Sequence, residues 1–430
     1  MRFAAATGIL LAAIVLCVAL HSDDLPQNAL LIARMRQHNR ELLRRVPAYT
    51  CLETISREVQ RPKQRRPVQQ DIVQVDVGVG LREEIYSWPG AETFSPDGLV
   101  GLVGQGFLGT GAFDTFARNV FVYDAATIRL SGDEILEGRG SWRFLYTIPS
   151  LNSQWQVNWL GAKGVVGETG AFWVDRKTLT LLRLDAKAVD FPPNLPLNAI
   201  TVTVRYQTIS IGGTRALIPS DAQLTAIEWD GAMHRDALAF SQCRLFEAKS
   251  KIVDPSASLR EAITRYEADR VALPPGLNLR FTLETRMQMN TAKVGDAIIA
   301  HLDKPVKISD QLTAPRGALA KGRIRELVLL RDTPNTYQVG LEFNELDWPG
   351  HSGIFLAEAT DIQALAGIKT SLVRGSTRYS HMGIGELTSS STEEIRPMEM
   401  PGVATFFVSN SLVIPNGLQM TWRTQQAKHF

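Results

Sequence analysis

From Val73 to Leu81 every second residue is aliphatic: Val73, Val75, Val77, Val79 and Leu81 alternate with Gln74, Asp76, Gly78 and Gly80. The same period of two returns in Trp142, Phe144, Tyr146 and Ile148, and again in Ile200, Val202, Val204 and Tyr206. A helix would scatter these residues around its axis. A strand gathers them on one face, so each segment reads as a strand with one buried and one wet side, as in antiparallel sheets. Asp230-Gly231, between LTAIEW and AMHRDALAF, is a two-residue hairpin signal, because the central positions of such a turn need positive φ. The returning strand, or its continuation, leads to Cys243.

Two stretches break this rhythm in the first half. QNALLIARMRQHNRELLRRV, residues 27–46, sets Leu31, Met35, Leu42 and Val46 near one helical face and Arg36, Arg40 and Arg44 on another, and Pro47 stops it. The arginine stripe is expected to be a solvated face, with contact to anionic lipid headgroups as the alternative. GLVGQGFLGTGAFDTFARNVF is a glycine-rich loop followed by a short amphipathic helix marked by Phe113, Phe116, Ala117, Val120 and Phe121. Gly104, Gly106 and Gly109 match a dinucleotide-binding spacing. Pro96-Asp97-Gly98 and antiparallel surroundings do not supply the strand–turn–helix context that chemistry needs, so the stretch reads as a hinge or lid.

DPSASLREAITRYEADRVALPPG interrupts the strands, and a linker helix is expected over 254–272. Strand patterning then resumes in LNLRFTLETR, DAIIAHLDKPVKI, GALAKGRIRELVLL, TYQVGLEFNELDW and GIFLAEATDI, punctuated by Gly295-Asp296 and Pro349-Gly350. Short, regularly spaced strands suggest a small barrel or sandwich over 273–425. The pattern lapses over 363–401, expected to be an exposed insertion, and returns in VATFFVS and LQMTWRT. The fold class expected is therefore mainly β with a few helices.

The chain opens MRFAAATGILLAAIVLCVALHSDD, one arginine followed by an apolar run and a polar stretch. Residues 1–22 are read as a secretory signal peptide, with an uncleaved inner-membrane anchor as the competing reading. Either places the rest in the periplasm or outside the cell, with membrane contact only through that segment. Lys+Arg 46 against Asp+Glu 44 gives a formal charge of +2, so no global field draws the protein to nucleic acid.

Beyond the leader two cysteines remain, Cys51 and Cys243. A structural zinc site needs four ligands, usually in close pairs such as C-x-x-C, and none occur here. A nucleophilic thiol needs a histidine base, and the seven histidines lie scattered. In an oxidising compartment the plain reading is one disulfide, tying an early strand to a late one.

With the strands placed, two resemblances follow. AFWVDRKTLTLLRLDAKAV and ITVTVRYQTISIGGTRALIPSDAQLT, with Phe172, Trp173, Asp175, Leu181, Arg183, Tyr206, Gly212 and Pro219 at matching places, resemble the lipoprotein-carrier superfamily of LolA and RseB over residues 40–250. The resemblance implies an antiparallel half-barrel over 27–253 whose concave apolar face is covered by helices and binds acyl chains or lipoproteins. Phe113, Phe116, Val120 and Trp173 are the candidate lining. LPPGLNLRFTLETRMQMNTAKVGDAIIAHLDKPVKISDQLTAPRGALAKGRIREL and the closing Gly417–Trp422 look like the β-barrel of TrbI-like components of type IV secretion cores. Residues 363–401 contain no apolar run long enough for that family's membrane-crossing hairpin, so a related barrel without the pore-forming part is implied.

The sequence contains no G-x-S-x-G, S-x-x-K, H-E-x-x-H or phosphate-loop motif. His234 and Asp236 share one face of a strand but lack a nucleophile, and Glu83-Glu84 and Glu393-Glu394 would point apart. Arg57, Arg61, Lys63, Arg65 and Arg66, with Pro62 and Pro67, read as a charged hairpin tip. The expectation is a non-catalytic envelope protein without metal or cofactor. It would bind a lipid or lipoprotein segment, or else serve as a structural adaptor for an envelope protein partner; a hydrolase with an unrecognised site is the remote third reading.

Overall fold

The structure, a computed structural model, describes residues 27–64, 67–79, 84–91, 93–95, 98–103, 113–159, 162–246, 270–330, 336–363, 365, 369–372, 377–378, 398–399, 402–409 and 411–426. The first half contains helices α1 (Gln27–Arg44), α2 (Gly98–Val103) and α3 (Phe113–Phe121). Its strands are β1 (Tyr49–Gln60), β2 (Gln69–Val79), β3 (Ile85–Ser87), β4 (Thr127–Leu136), β5 (Arg139–Ile148), β6 (Gln156–Trp159), β7 (Ala162–Val165), β8 (Gly167–Asp175), β9 (Leu181–Val189), β10 (Leu197–Ile211), β11 (Thr214–Glu228) and β12 (Met233–Leu245).

Ten of these strands pair antiparallel in the order β3–β2–β1–β12–β11–β10–β9–β8–β5–β4, while β6 and β7 form a separate hairpin. The alternation seen in the sequence sets the faces. Val73, Val75 and Val77 of β2 are fully buried, and so are Phe144 and Ile148 of β5. At the predicted Asp230-Gly231 turn, Gly231 has φ +86° and its N–H bonds Glu228 O at 3.0 Å. The sheet is an open half-barrel with α1 and α3 lying against its concave side.

Cys51 and Cys243 are bonded, joining β1 to β12 across 192 residues of sequence with Cα atoms 4.1 Å apart. The bond sits at an irregularity in the ladder, where the register shifts between Thr50 and Leu52 and Gln242 takes a left-handed φ of 52°. In the chain-entropy treatment a closure of this length stabilises the fold by up to about 5 kcal/mol.

In the second half the strand Asn278–Leu283 lies between Ala297–Leu302 and Gln419–Gln425, and Ala297–Leu302 leads on to Leu319–Leu330 and Thr336–Trp348. The bent segment 351–362 ties the ends together, its first part pairing with Thr336–Trp348 and its second with Gln419–Gln425. Phe281, Phe343, Phe406 and Trp422 fill the middle. Within the expected exposed insertion, Lys369–Leu372 instead pairs with Val403–Ser409; 379–397 lie outside the described residues. Of the expected linker helix, Arg270–Ala272 is a strand parallel to His351–Ile354, and 254–269 lie outside the described residues.

The two halves are also stitched along β2. Leu329 and Leu330 pair with Gln70 and Gln69, and Val294 exchanges backbone bonds with Ile72 and Gln74, each at 2.9 Å. Gly295, at φ +105°, permits this approach: a Cβ there would meet Gln74 O at 2.5 Å.

Candidate functional site: the capped concave face

Reading across the half-barrel, Phe144, Phe172, Leu184, Val204, Ala222 and Leu238 lie opposite one another on successive strands, and all are buried. This is an apolar floor five strand spacings wide. Helix α3 covers it. Phe121 meets Phe172 edge-on at 5.1 Å, Phe172 stacks on Phe144 at 5.1 Å, and Phe116 meets Trp155 edge-on at 4.8 Å. Such aromatic contacts are favourable beyond the area they remove from water.

Helix α1 is fixed to the sheet by an amide that reads the backbone in both directions. Asn39 Nδ2 donates to Leu179 O at 2.8 Å, and Asn39 Oδ1 accepts from the Leu181 N–H at 2.8 Å. Of the arginine stripe, expected to be solvated, Arg44 is exposed, whereas Arg36 and Arg40 are directed at the end of α3 and the turn after it. Arg40 Nε donates to Phe121 O at 2.9 Å, and Arg36 donates to Asp124 Oδ1 and Ala126 O, each at 2.6 Å. The last carbonyls of a helix have no partners within it and carry partial negative charge, so Arg40 satisfies one of them, while Arg36 fixes the turn that follows.

Beneath α3 lies a buried acid, Glu168 of β8. It accepts hydrogen bonds from Asn119 of α3, from Ser153 Oγ at 3.3 Å and from Tyr146 OH at 3.5 Å. Burial pushes its carboxyl up to about 7, opposed by the bonds from Asn119, Ser153 and Tyr146. Asn119 Oδ1 is buried without a partner; with the amide turned over, a protonated Glu168 would donate to it. Elsewhere on the inner side Glu53 is buried with both oxygens unpartnered, and burial, then Glu84 and Asp236, raise its pKa well above the usual range. Arg57, expected at a charged tip, is buried in a two-bond pair with Asp71, since the inward phase of β1 carries it into the core. His234 and Asp236 are both buried on one face, and His234 bonds Glu228 at 2.6 Å.

The expected lining residues do not share one surface. Phe116 (6% exposed) and Val120 (0%) lie under α3 against the floor, whereas Trp173 (7%) is on the opposite side of the sheet. There it is flanked by the guanidiniums of Arg143 and Arg183 at 5.6 and 5.0 Å, and it donates its indole N–H to Glu134. Phe172, its neighbour in sequence, is the one that faces inward. Phe113 begins α3, but its side chain lies outside the described residues, as does the glycine-rich stretch 104–112. Among the described residues no group of three or more His, Cys, Asp or Glu is placed to hold a metal ion, and no helix is long and apolar enough to cross a membrane.

These features define an antiparallel half-barrel with a helix-capped apolar floor. Among solved structures the chain is similar to a LolA superfamily protein from Nitrosomonas europaea, at 13% identity and TM-score 0.28, covering 52% of this chain and 97% of that one. It is similar also to a DUF1329 family protein from Desulfovibrio piger (13%, TM-score 0.27, 54% and 98%) and to a domain from Vibrio parahaemolyticus named for outer membrane lipoprotein sorting (11%, TM-score 0.27, 54% and 96%). No family model and no curated protein matches the chain.

Proposed function

We propose that the chain is a non-catalytic binding protein of the cell envelope whose half-barrel takes an acyl chain, or the apolar segment of a lipoprotein, on the floor that α3 covers. The observation that carries this reading is the cap itself. A nine-residue helix closes a continuous apolar surface, and its Asn119 side chain, directed at the sheet, rests on a carboxyl whose pKa burial raises to about 7. So short a helix has little stability of its own and is held by packing, so it is the element that can lift while the sheet stays intact. The floor it would uncover suits a linear hydrocarbon, at roughly 0.8 kcal/mol per methylene removed from water. The disulfide fits an oxidising compartment such as the periplasm. In this reading Phe116 and Val120 are displaced into contact with the ligand, and the second half, TrbI-like in sequence, is a scaffold bound along β2.

Native mass spectrometry and lipid extraction of the full chain purified from envelopes test this. Copurified acyl lipid, reduced by Phe172→Asp relative to a variant outside the floor such as Arg176→Ala, is the expected result. A chain free of lipid that also fails to take up fatty acid would overturn it. A stable envelope protein partner in its place would favour the structural adaptor.

A further inference from the structure

On the other side of the sheet a second opening exists, to which α3 contributes nothing. Strands β9 and β10 pair only from Lys187–Thr201 to Arg183–Arg205. Beyond that point β10 follows β11 alone through Tyr206, Gln207 and Thr208, and the strands splay apart. The tip of the β4–β5 hairpin reaches over the gap, held by Glu137 Oε1 on Arg205 at 2.9 Å. Between these walls is a cavity of about 470 Å³, within the usual range for small-molecule sites.

Four arginines, Arg139, Arg183, Arg205 and Arg215, line it, together with Thr178, Thr180, Thr208 and Ser220, of which the Ser220 hydroxyl donates to Asp221 and the Thr180 hydroxyl bonds His38. Two of the four are already neutralised: Arg183 by a two-bond pair with Asp185, Arg205 by Glu137 and Asp221. The two carboxylates in the lining are also committed, Glu137 to Arg205 and Asp175 to the N–H groups of Lys177 and Thr178 at 2.8 and 2.9 Å. Arg139 and Arg215 have no ion-pair partner among the described residues, so two guanidiniums keep their N–H donors available, although the four arginines and the carboxylates of Glu137, Asp175, Asp185 and Asp221 balance in formal charge. A guanidinium presents paired N–H donors at the spacing of phosphate oxygens, and hydroxyls complete such a shell.

We infer that this cleft binds a phosphate-bearing ligand, clamped between Arg139 from the hairpin and Arg215 from β11. The site is independent of acyl binding under α3. Phosphate monoesters and phospholipid headgroups share this chemistry, and the volume admits either.

Inorganic phosphate and glycerol phosphate titrated into the full chain, followed by calorimetry or amide chemical shifts against chloride at equal ionic strength, give the test. Saturable binding is expected, weakened about tenfold or more in Arg139→Ala/Arg215→Ala and unchanged in Arg176→Ala, whose side chain pairs with Asp133 outside the cavity. Both clamp residues are exposed, so the double variant should fold, and an unchanged melting temperature checks it. No saturable binding of either probe, or equal affinity in the double variant, would overturn the inference. Vesicles of phosphatidylglycerol and of phosphatidylcholine then separate the sources: binding to the former that free phosphate displaces assigns a headgroup, and binding of the soluble ester alone assigns a soluble ligand.

Discussion

The two halves of the chain bury different chemistry. Inside the first, Glu53, Arg57, Asp71, Glu168, Glu228, His234 and Asp236 are all buried; in the second, Glu326 is the one buried charged side chain among the described residues. It is satisfied by Gln338 at 2.9 Å and Thr405 at 3.5 Å. The second core is otherwise aromatic and aliphatic, a packing that depends on shape and hardly on pH. A core holding ionisable groups depends on their protonation and on each partner staying in place. The packing of the second half is thus nearly indifferent to pH, and that of the first is sensitive to it.

The disulfide offers the largest way to break this contrast. Cys51→Ser/Cys243→Ser should cost the first half up to about 5 kcal/mol and leave the aromatic core of the second intact. Calorimetry should then show one transition moving down and one staying. Movement of both together would show that the β2 seam makes a single cooperative unit.

Trp422→Ala should destabilise the second half by about 3–5 kcal/mol, equally at pH 5 and pH 8, as expected for a lost ring in an apolar core.

Glu168 should behave in the opposite way. Its folded pKa is raised from 4.5 to about 7, so its contribution is fully present below the unfolded value. That contribution is lost as pH rises through about 7. The loss is about 3 kcal/mol, read as a fall in the urea midpoint between pH 5 and pH 8. Glu168→Gln should flatten that slope, and an unaltered slope would remove Glu168 as its source. Smallest of all, Arg40→Ala should cost about 1 kcal/mol by freeing Phe121 O, visible as faster exchange in α3.

Much of this architecture is legible in the sequence. Period-two alternation marks β2, β5 and β10, Asp230-Gly231 marks its turn, and elimination leaves Cys51 and Cys243 to pair. The same alternation also separates Phe172 from Trp173, because neighbours on a strand face opposite sides. Grouping Trp173 with Phe116 overlooked a signal that was present. Other features had none. Whether Arg40 meets water or the end of α3 depends on residues 81 apart in the chain. Arg57 belongs to the inward phase of β1, yet a run of basic residues and prolines beside it suggests a tip. The four arginines of the cleft come from the β4–β5 hairpin, β9, β10 and β11, and only the splaying of two strands brings them together.

Hydrogen exchange of the full chain at pH 6 and pH 8, corrected for intrinsic rates, bears most directly on whether the cap is a separate opening element. Amides of Ala117–Phe121 should open at a free energy well below those of Phe172 and Leu184 in the floor and of Phe281 and Phe343 in the second core. That gap should widen at the higher pH as Glu168 ionises beneath the helix. Exchange of α3 and Phe172 in one step, with the same opening free energy at both pH values, would mean that the helix is a fixed part of the core and that the floor is never uncovered.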